Sequence, residues 1–297
     1  MTGLNTKKRP DSDRAFALRR YVMGFLFVVV FVLLDRTTVY LQILPGISAW
    51  YPPVGVALAF LISMGPRYAP LYWLAGFISS KLNYHQSFFS YIYLPGNSLD
   101  FGTYTVLAIM LRKMFKLDWR LRSIRDVMVL LFVALPLSGV AAFVATSMLI
   151  LDHVVPWSGY ASAALDWWIG DAVAIACFTP FCLVIVMPVV RRFAGLEQTA
   201  ADMESAAASK NIHEAHGSQR AAESLCFVAA IVGAVWLGLG IKTAGNHDTF
   251  YVFFFPVIWI AVRRGLRGAA TGILLLDIGI VLSLEFSGGD SARFLVL

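Results

Sequence analysis

Long apolar runs separated by short polar joints set the rhythm of this chain. Nine stretches are almost wholly apolar: residues 21–40, 48–64, 68–83, 88–111, 126–151, 167–190, 225–241, 250–262 and 268–285. A helix of about 20 apolar residues crosses a bilayer core of about 30 Å. The runs are continuous rather than alternating, which argues against barrel strands. The pattern therefore predicts an all-α, polytopic transmembrane helix bundle of about nine spans. The second and eighth runs are short and carry Pro52, Pro53 and Pro256. They are expected to be broken or strongly tilted.

The polar stretches divide the chain further. Residues 1–20 form a basic lead, and residues 191–223, rich in Ala, Ser, Glu and His, form a linker. The linker separates a six-helix part (21–190) from a second part (224–297) with three spans. The last five residues, from Arg293, read as the start of a tenth span that the chain does not complete.

Composition supports this reading. Hydrophobic residues make up 59% of the 297 positions, charged residues only 14%, and mean hydropathy is +0.71. Soluble domains carry about 25% charged residues. The net charge of +6 resembles a nucleic-acid signal until the basic residues are placed. With the N-terminus in the cytoplasm, twenty of the 24 Lys and Arg fall on cytoplasmic segments; Arg36, Lys81, Lys242 and Arg293 are the others. That is the positive-inside pattern, so the charge is a topology signal and no nucleic-acid partner is expected. The first run is too long for a signal-peptide core and ends at no small-residue cleavage site. Cys177, Cys182 and Cys226 lie in apolar runs and read as small buried hydrophobes. His213 and His216 are three apart on the linker without a cysteine, so a solvated face outweighs a metal site.

Polar groups inside the runs are the candidate chemistry. Asp166-Trp167-Trp168-Ile169-Gly170-Asp171 opens the sixth run, with Asp171 on the helix face of both tryptophans. Two readings stand side by side. One is a tryptophan belt with a carboxylate favoured by the helix N-terminus. The other is an ionisable group that marks a site. Asp35 and Arg36 end the first run, Lys81 closes the third, and Asp277 lies in the ninth. In the fourth, Pro95-Gly96 loosens the helix, and Asn97, Asp100 and Tyr104 follow on one face. A lone charge at this depth costs about 2.5–3.5 kcal/mol on insertion scales, so partners are expected: Arg36 or Lys81 with Asp100 or Asp171. Arg36, Lys81, Asn97, Asp100, Trp168 and Asp171 form the candidate ligand pocket, in the outer half of the membrane. Helix glue is the competing explanation. Motifs for zinc proteases, serine hydrolases and phosphate loops are missing from the sequence, so no catalytic, metal or cofactor residue is assigned.

A faint internal repeat is also present. Pro53-Val54 precedes Gly65-Pro66-Arg67-Tyr68-Ala69, as Pro256-Val257 precedes Gly265-Leu266-Arg267-Gly268-Ala269. Shared helix-break chemistry explains it as well as a parallel repeat does.

These motifs, in this order, resemble the type-one membrane-associated sensor domain family (MASE type one). The resemblance rests on Trp50-Tyr51-Pro52-Pro53-Val54-Gly55-Val56-Ala57, on Gly96-Asn97, and on Trp167-Trp168-Ile169-Gly170-Asp171 with Pro180. It rests above all on the run from Phe255 to Ala269, with Pro256, Trp259, Arg263, Gly265 and Arg267. The resemblance implies a bacterial inner-membrane sensory module whose cytoplasmic output, a histidine kinase or diguanylate cyclase, lies beyond these residues. Arg264 departs from the family's usual aromatic. Expected partners are membrane lipids, a small ligand or a protein partner, the output domain, and a second copy in a homodimer. The crowded turn at Arg263, Arg264 and Arg267 serves positive-inside anchoring, or contact with phospholipid head groups or a cytoplasmic partner. The functional alternative is a small-molecule transporter or permease, since broken helices and midplane carboxylates serve transport too.

Overall fold

The computed structural model describes residues 10–196, 217–240 and 251–286. Lys7, Lys8 and Arg9 of the lead, most of the linker with His213 and His216, Lys242, and the last residues from 287 onward lie outside them. Helix dominates: α1 Pro10–Thr38, α2 Pro52–Met64, α3 Ala69–Leu82, α4 Asn97–Lys113, α5 Ile124–Leu151, α6 Tyr160–Phe181, α7 Met187–Phe193, α8 Gly217–Gly240 and α9 Phe254–Phe286. The departure from helix is a hairpin, β1 Gln42–Leu44 with β2 Ile47–Ser48. Pro45-Gly46 turns it, Gly46 supplying the positive φ of 83° that a Pro-Gly turn needs.

Local chemistry accounts for the helix ends. Pro52 and Pro53 open α2 at its first positions, where the missing N–H costs nothing, so they start a helix instead of breaking one. Ser123 caps α5 by accepting the Asp126 N–H at 3.2 Å, and its hydroxyl donates back to Asp126 at 2.6 Å. Before α4 the chain makes a π-helical turn at Ile92–Gly96 around Pro95, so this proline does loosen its helix. The opening amides there are capped from afar: Asp152, just past α5, accepts from the N–H groups of Tyr91 and Ile92 at 2.8 and 2.9 Å.

Two glycines reverse the chain. Gly65, with φ 105° and ψ 159°, separates α2 from α3, and Gly265, with φ 61° and ψ −153°, folds α9 back on itself. Both conformations are open essentially to glycine alone. In a straight helix Ile260 and Gly272 would stand about 18 Å apart. Here the Ile260 side chain packs against Gly268 and Gly272. The eighth and ninth apolar runs are thus the two arms of one helical hairpin. The sequence repeat has a physical counterpart at both glycines.

At the centre lies α2, with every residue buried except Val56. A helix apolar all round belongs inside a bundle. Phe60 stacks on Phe27 of α1 at 4.0 Å, and Phe31, Tyr72, Phe101 and Phe77 continue the aromatic packing edge-to-face. Outside, large apolar side chains such as Phe25 (68% exposed), Phe132 (70%) and Trp236 (65%) face outward. Such an exterior suits lipid rather than water. Among the described residues, four helical stretches, Phe16–Leu41, Ile124–Leu151, Trp157–Phe193 and Tyr251–Ser283, are long and apolar enough to cross a bilayer. The reversal at Gly265 divides the last of these. With 13 and 14 residues, α2 and α3 measure only about 20 Å. The architecture is a multi-pass helical bundle, and its nine apolar runs are not nine full-length helices.

Candidate functional site

The bundle has two chemically distinct ends. At one, a small cavity of about 50 Å³ is lined by Asp35 of α1, Asp100 of α4 and Asp171 of α6, with Tyr51, Asn97 and Trp167. An outer vestibule of about 600 Å³ adjoins it, and Gly46, Tyr84, Gln86, Ile92 and Leu149 line both. Asp152 adds a carboxylate to the vestibule. Among the described residues, no Lys, Arg or His lines either space.

The three inner carboxylates are held differently. Asp35, fully buried, accepts from Ser79, from Tyr84 Oη at 2.9 Å, from Asn83 Nδ2 at 3.2 Å and from Thr38 at 3.4 Å. Neutral donors alone solvate it. Thr38 lies on α1 itself, whereas Ser79 on α3 and Asn83 one turn later are followed by Tyr84 in the loop, so packing α3 against α1 completes the cage. Asp171 Oδ2 accepts from Tyr104 at 2.5 Å, and the Trp167 indole faces the same carboxylate. Asp171 Oδ1 and Asp100 Oδ1 are buried and make no hydrogen bond. The two carboxylates are close enough to repel. This chemistry favours an occupant that brings positive charge or several hydrogen-bond donors.

Of the residues singled out from sequence, the structure gathers Asn97, Asp100 and Asp171 at the cavity and leaves three outside. Arg36 is exposed and lies 5.7 Å from the Tyr40 ring. Lys81 donates to the Gln86 carbonyl at 2.6 Å and sits 3.7 Å over Phe88. Neither forms the expected ion pair with Asp100 or Asp171. Trp168 turns away to α5, donating to the Leu135 carbonyl at 2.8 Å; its neighbour Trp167 takes the cavity wall. Sequence reading noted Asp35 but left it out of the pocket, and missed Tyr51, Tyr84 and Gln86. An aspartate at a helix end signals a buried cage only once its donors are in place. The start of the sixth helix also moves: α6 begins at Tyr160, eleven residues before Asp171. The helix dipole acts within the first turn, so it does not account for this carboxylate.

Gly170 meets the Ser48 carbonyl, and Gly55 meets the Ala174 carbonyl, with no space for a methyl group at either. Thr179 donates to the Gly55 carbonyl at 3.1 Å. Trp50 donates to Asp277 of α9 at 2.8 Å, which joins the two parts of the chain beside the cavity. The family model of MASE1 matches residues 20–293. The chain belongs to the MASE1 family. Neither the curated proteins nor the solved structures contain a match to it.

MASE1 domains are membrane sensory domains, and an integral-membrane sensory role follows for this chain. The motifs that carry the sequence resemblance also fix the packing. Pro53 starts the buried α2, Gly55 sets its approach to α6, and Gly170 sets the approach of α6 to β2. In the second hairpin, Pro256 is buried near the start of α9 and Trp259 packs on Phe227 at 4.6 Å. Arg263 and Arg264 reach Glu223 at 4.0 and 3.8 Å, and Arg264 also lies 4.6 Å over Phe227. Arg264 thus makes an aromatic contact with α8. Arg267 continues past the Gly265 reversal, its carbonyl accepting from Thr271 at 2.9 Å.

Proposed function

We propose that this MASE1 chain is the sensory input of a larger bacterial inner-membrane signalling protein, and that its ligand enters through the vestibule. The observation that carries the reading is a pair of carboxylates on different helices, α4 and α6, each with a buried oxygen that makes no hydrogen bond and, among the described residues, with no basic side chain lining their cavity. The proposed topology puts the N-terminus and the arginine-rich end in the cytoplasm, with nine helical segments and the carboxylate end outside. The ligand is small and cationic, or rich in hydrogen-bond donors. By bridging Asp100 and Asp171 it favours one packing of α4 against α6, and this is all that signalling requires energetically. The change reaches a kinase or cyclase output domain through the cytoplasmic segments.

Thermal melting of the protein in nanodiscs, against small amines and matched anions, tests the reading. A ligand at a hundred times its Kd stabilises by about 2.7 kcal/mol. Amines are expected to raise the melting temperature of the wild type, and Asp171→Asn and Asp100→Asn to abolish that rise. A screen in which both variants respond like the wild type sinks the proposal. A permease would instead carry substrate across proteoliposomes. Against that alternative, the pocket at the opposite end shares no lining residue with the cavity or vestibule.

A further inference from the structure

The far end of the bundle holds a site of opposite sign. Arg67 follows the Gly65 reversal, Arg112 ends α4 and Arg191 lies on α7; with Ser63 they line a pocket of about 360 Å³. No Asp or Glu lines it among the described residues. Among the described residues, neutral groups steady these guanidiniums. Arg112 Nη1 donates to the Ile62 and Ser63 carbonyls at the end of α2. Arg191 donates to the Ser63 carbonyl at 2.6 Å and stacks 4.8 Å from the Trp119 ring. Arg67 lies 5.0 Å from the Tyr68 ring.

Capping the α2 carbonyls explains Arg112 and Arg191. It does not explain three cations drawn together, since Arg67 and Arg191 both repel Arg112. Nor does it explain Ser63, a residue of the pocket wall that is only 1% exposed and whose hydroxyl makes no hydrogen bond. Planar guanidiniums converging on one space match the oxygens of a phosphate group, and a buried hydroxyl supplies a further donor.

We propose that Arg67, Arg112, Arg191 and Ser63 bind a phosphate group, independently of the carboxylate site. Its source is the head group of an anionic phospholipid or a soluble phosphate. The bound phosphate ties the α2–α3 reversal to α4 and α7, where the chain leaves for the linker, and so sets how firmly that junction is held.

The test uses the whole chain. Delipidated protein in neutral detergent is titrated with inorganic phosphate, with chloride at matched ionic strength as the reference, while thermal melting is followed. Native mass spectrometry then counts phosphatidylglycerol molecules retained from mixed nanodiscs. A saturable rise with phosphate alone identifies a soluble ligand. Retained phosphatidylglycerol without that rise identifies the lipid. Either signal is expected to weaken at least about tenfold in Arg67→Gln, which loses a charge-assisted contact. That variant keeps both arginine caps on α2, so its folding is preserved; Ser63→Ala is the second variant and weakens the signal less. If phosphate acts no differently from chloride and no lipid is retained, or if Arg67→Gln binds like the wild type, the proposal is overturned.

Discussion

Tyr104 and Asp171 show what one hydrogen bond decides at membrane depth. The phenol is fully buried and donates to a carboxylate whose other oxygen makes no hydrogen bond. Leaving a buried acceptor without its donor costs about 1–3 kcal/mol, so Tyr104→Phe is expected to destabilise the bundle by about that much, read as a lower melting temperature. Lys81→Met should behave differently. It removes the contact to the Gln86 carbonyl and the ring contact with Phe88, so it loosens the loop after α3. Binding at Asp171 should persist, whereas the ion pair expected from sequence would make Lys81→Met as damaging as Asp171→Asn. Comparing amine-induced melting shifts of the two variants separates these outcomes.

At the scale of elements, glycines set how closely helices pass. A methyl group at Gly55 or Gly170 would strike the backbone of a neighbouring element, whereas Gly233 on α8 faces open space. Gly55→Ala and Gly170→Ala should each lower the melting temperature, because overpacking typically costs about 1–3 kcal/mol. Gly233→Ala should be neutral or stabilising by up to about 1 kcal/mol, from helix propensity alone. The reversals at Gly65 and Gly265 belong to the same scale. The repeated Gly and Arg spacing was legible in the sequence, and so was Pro95 as a loosening point. The tight turn at Gly265 was legible too, but the packing of Ile260 on Gly268 and Gly272 was not, because periodicity locates apolar runs and does not say which side chains of two arms meet.

Across the whole molecule, polar chemistry is sorted by end. The C-terminal ends of α1, α3 and α5 meet the N-terminal ends of α2 and α4 around the carboxylates, while the far ends of α2, α4 and α7 meet around the arginines. This sorting supports the charge asymmetry read along the chain. With Cys177, Cys182 and Cys226 replaced, Phe89→Cys should react with an impermeant thiol reagent on intact cells. Arg122→Cys should react only after permeabilisation. The reverse pattern would invert the proposed topology.

By itself the sequence determined the solvent this protein folds in, the approximate places of its helices, and the shared face of Asn97, Asp100 and Tyr104. Those properties follow from hydrophobic content and the 3.6-residue period, both local. Only the tertiary structure decided the partners: Asp35 with donors of α3 and its following loop, Asp171 with Tyr104 67 residues away, Trp50 with Asp277 227 residues away. A buried polar group takes whichever donor the packing register brings within about 3 Å, and no local pattern encodes that register.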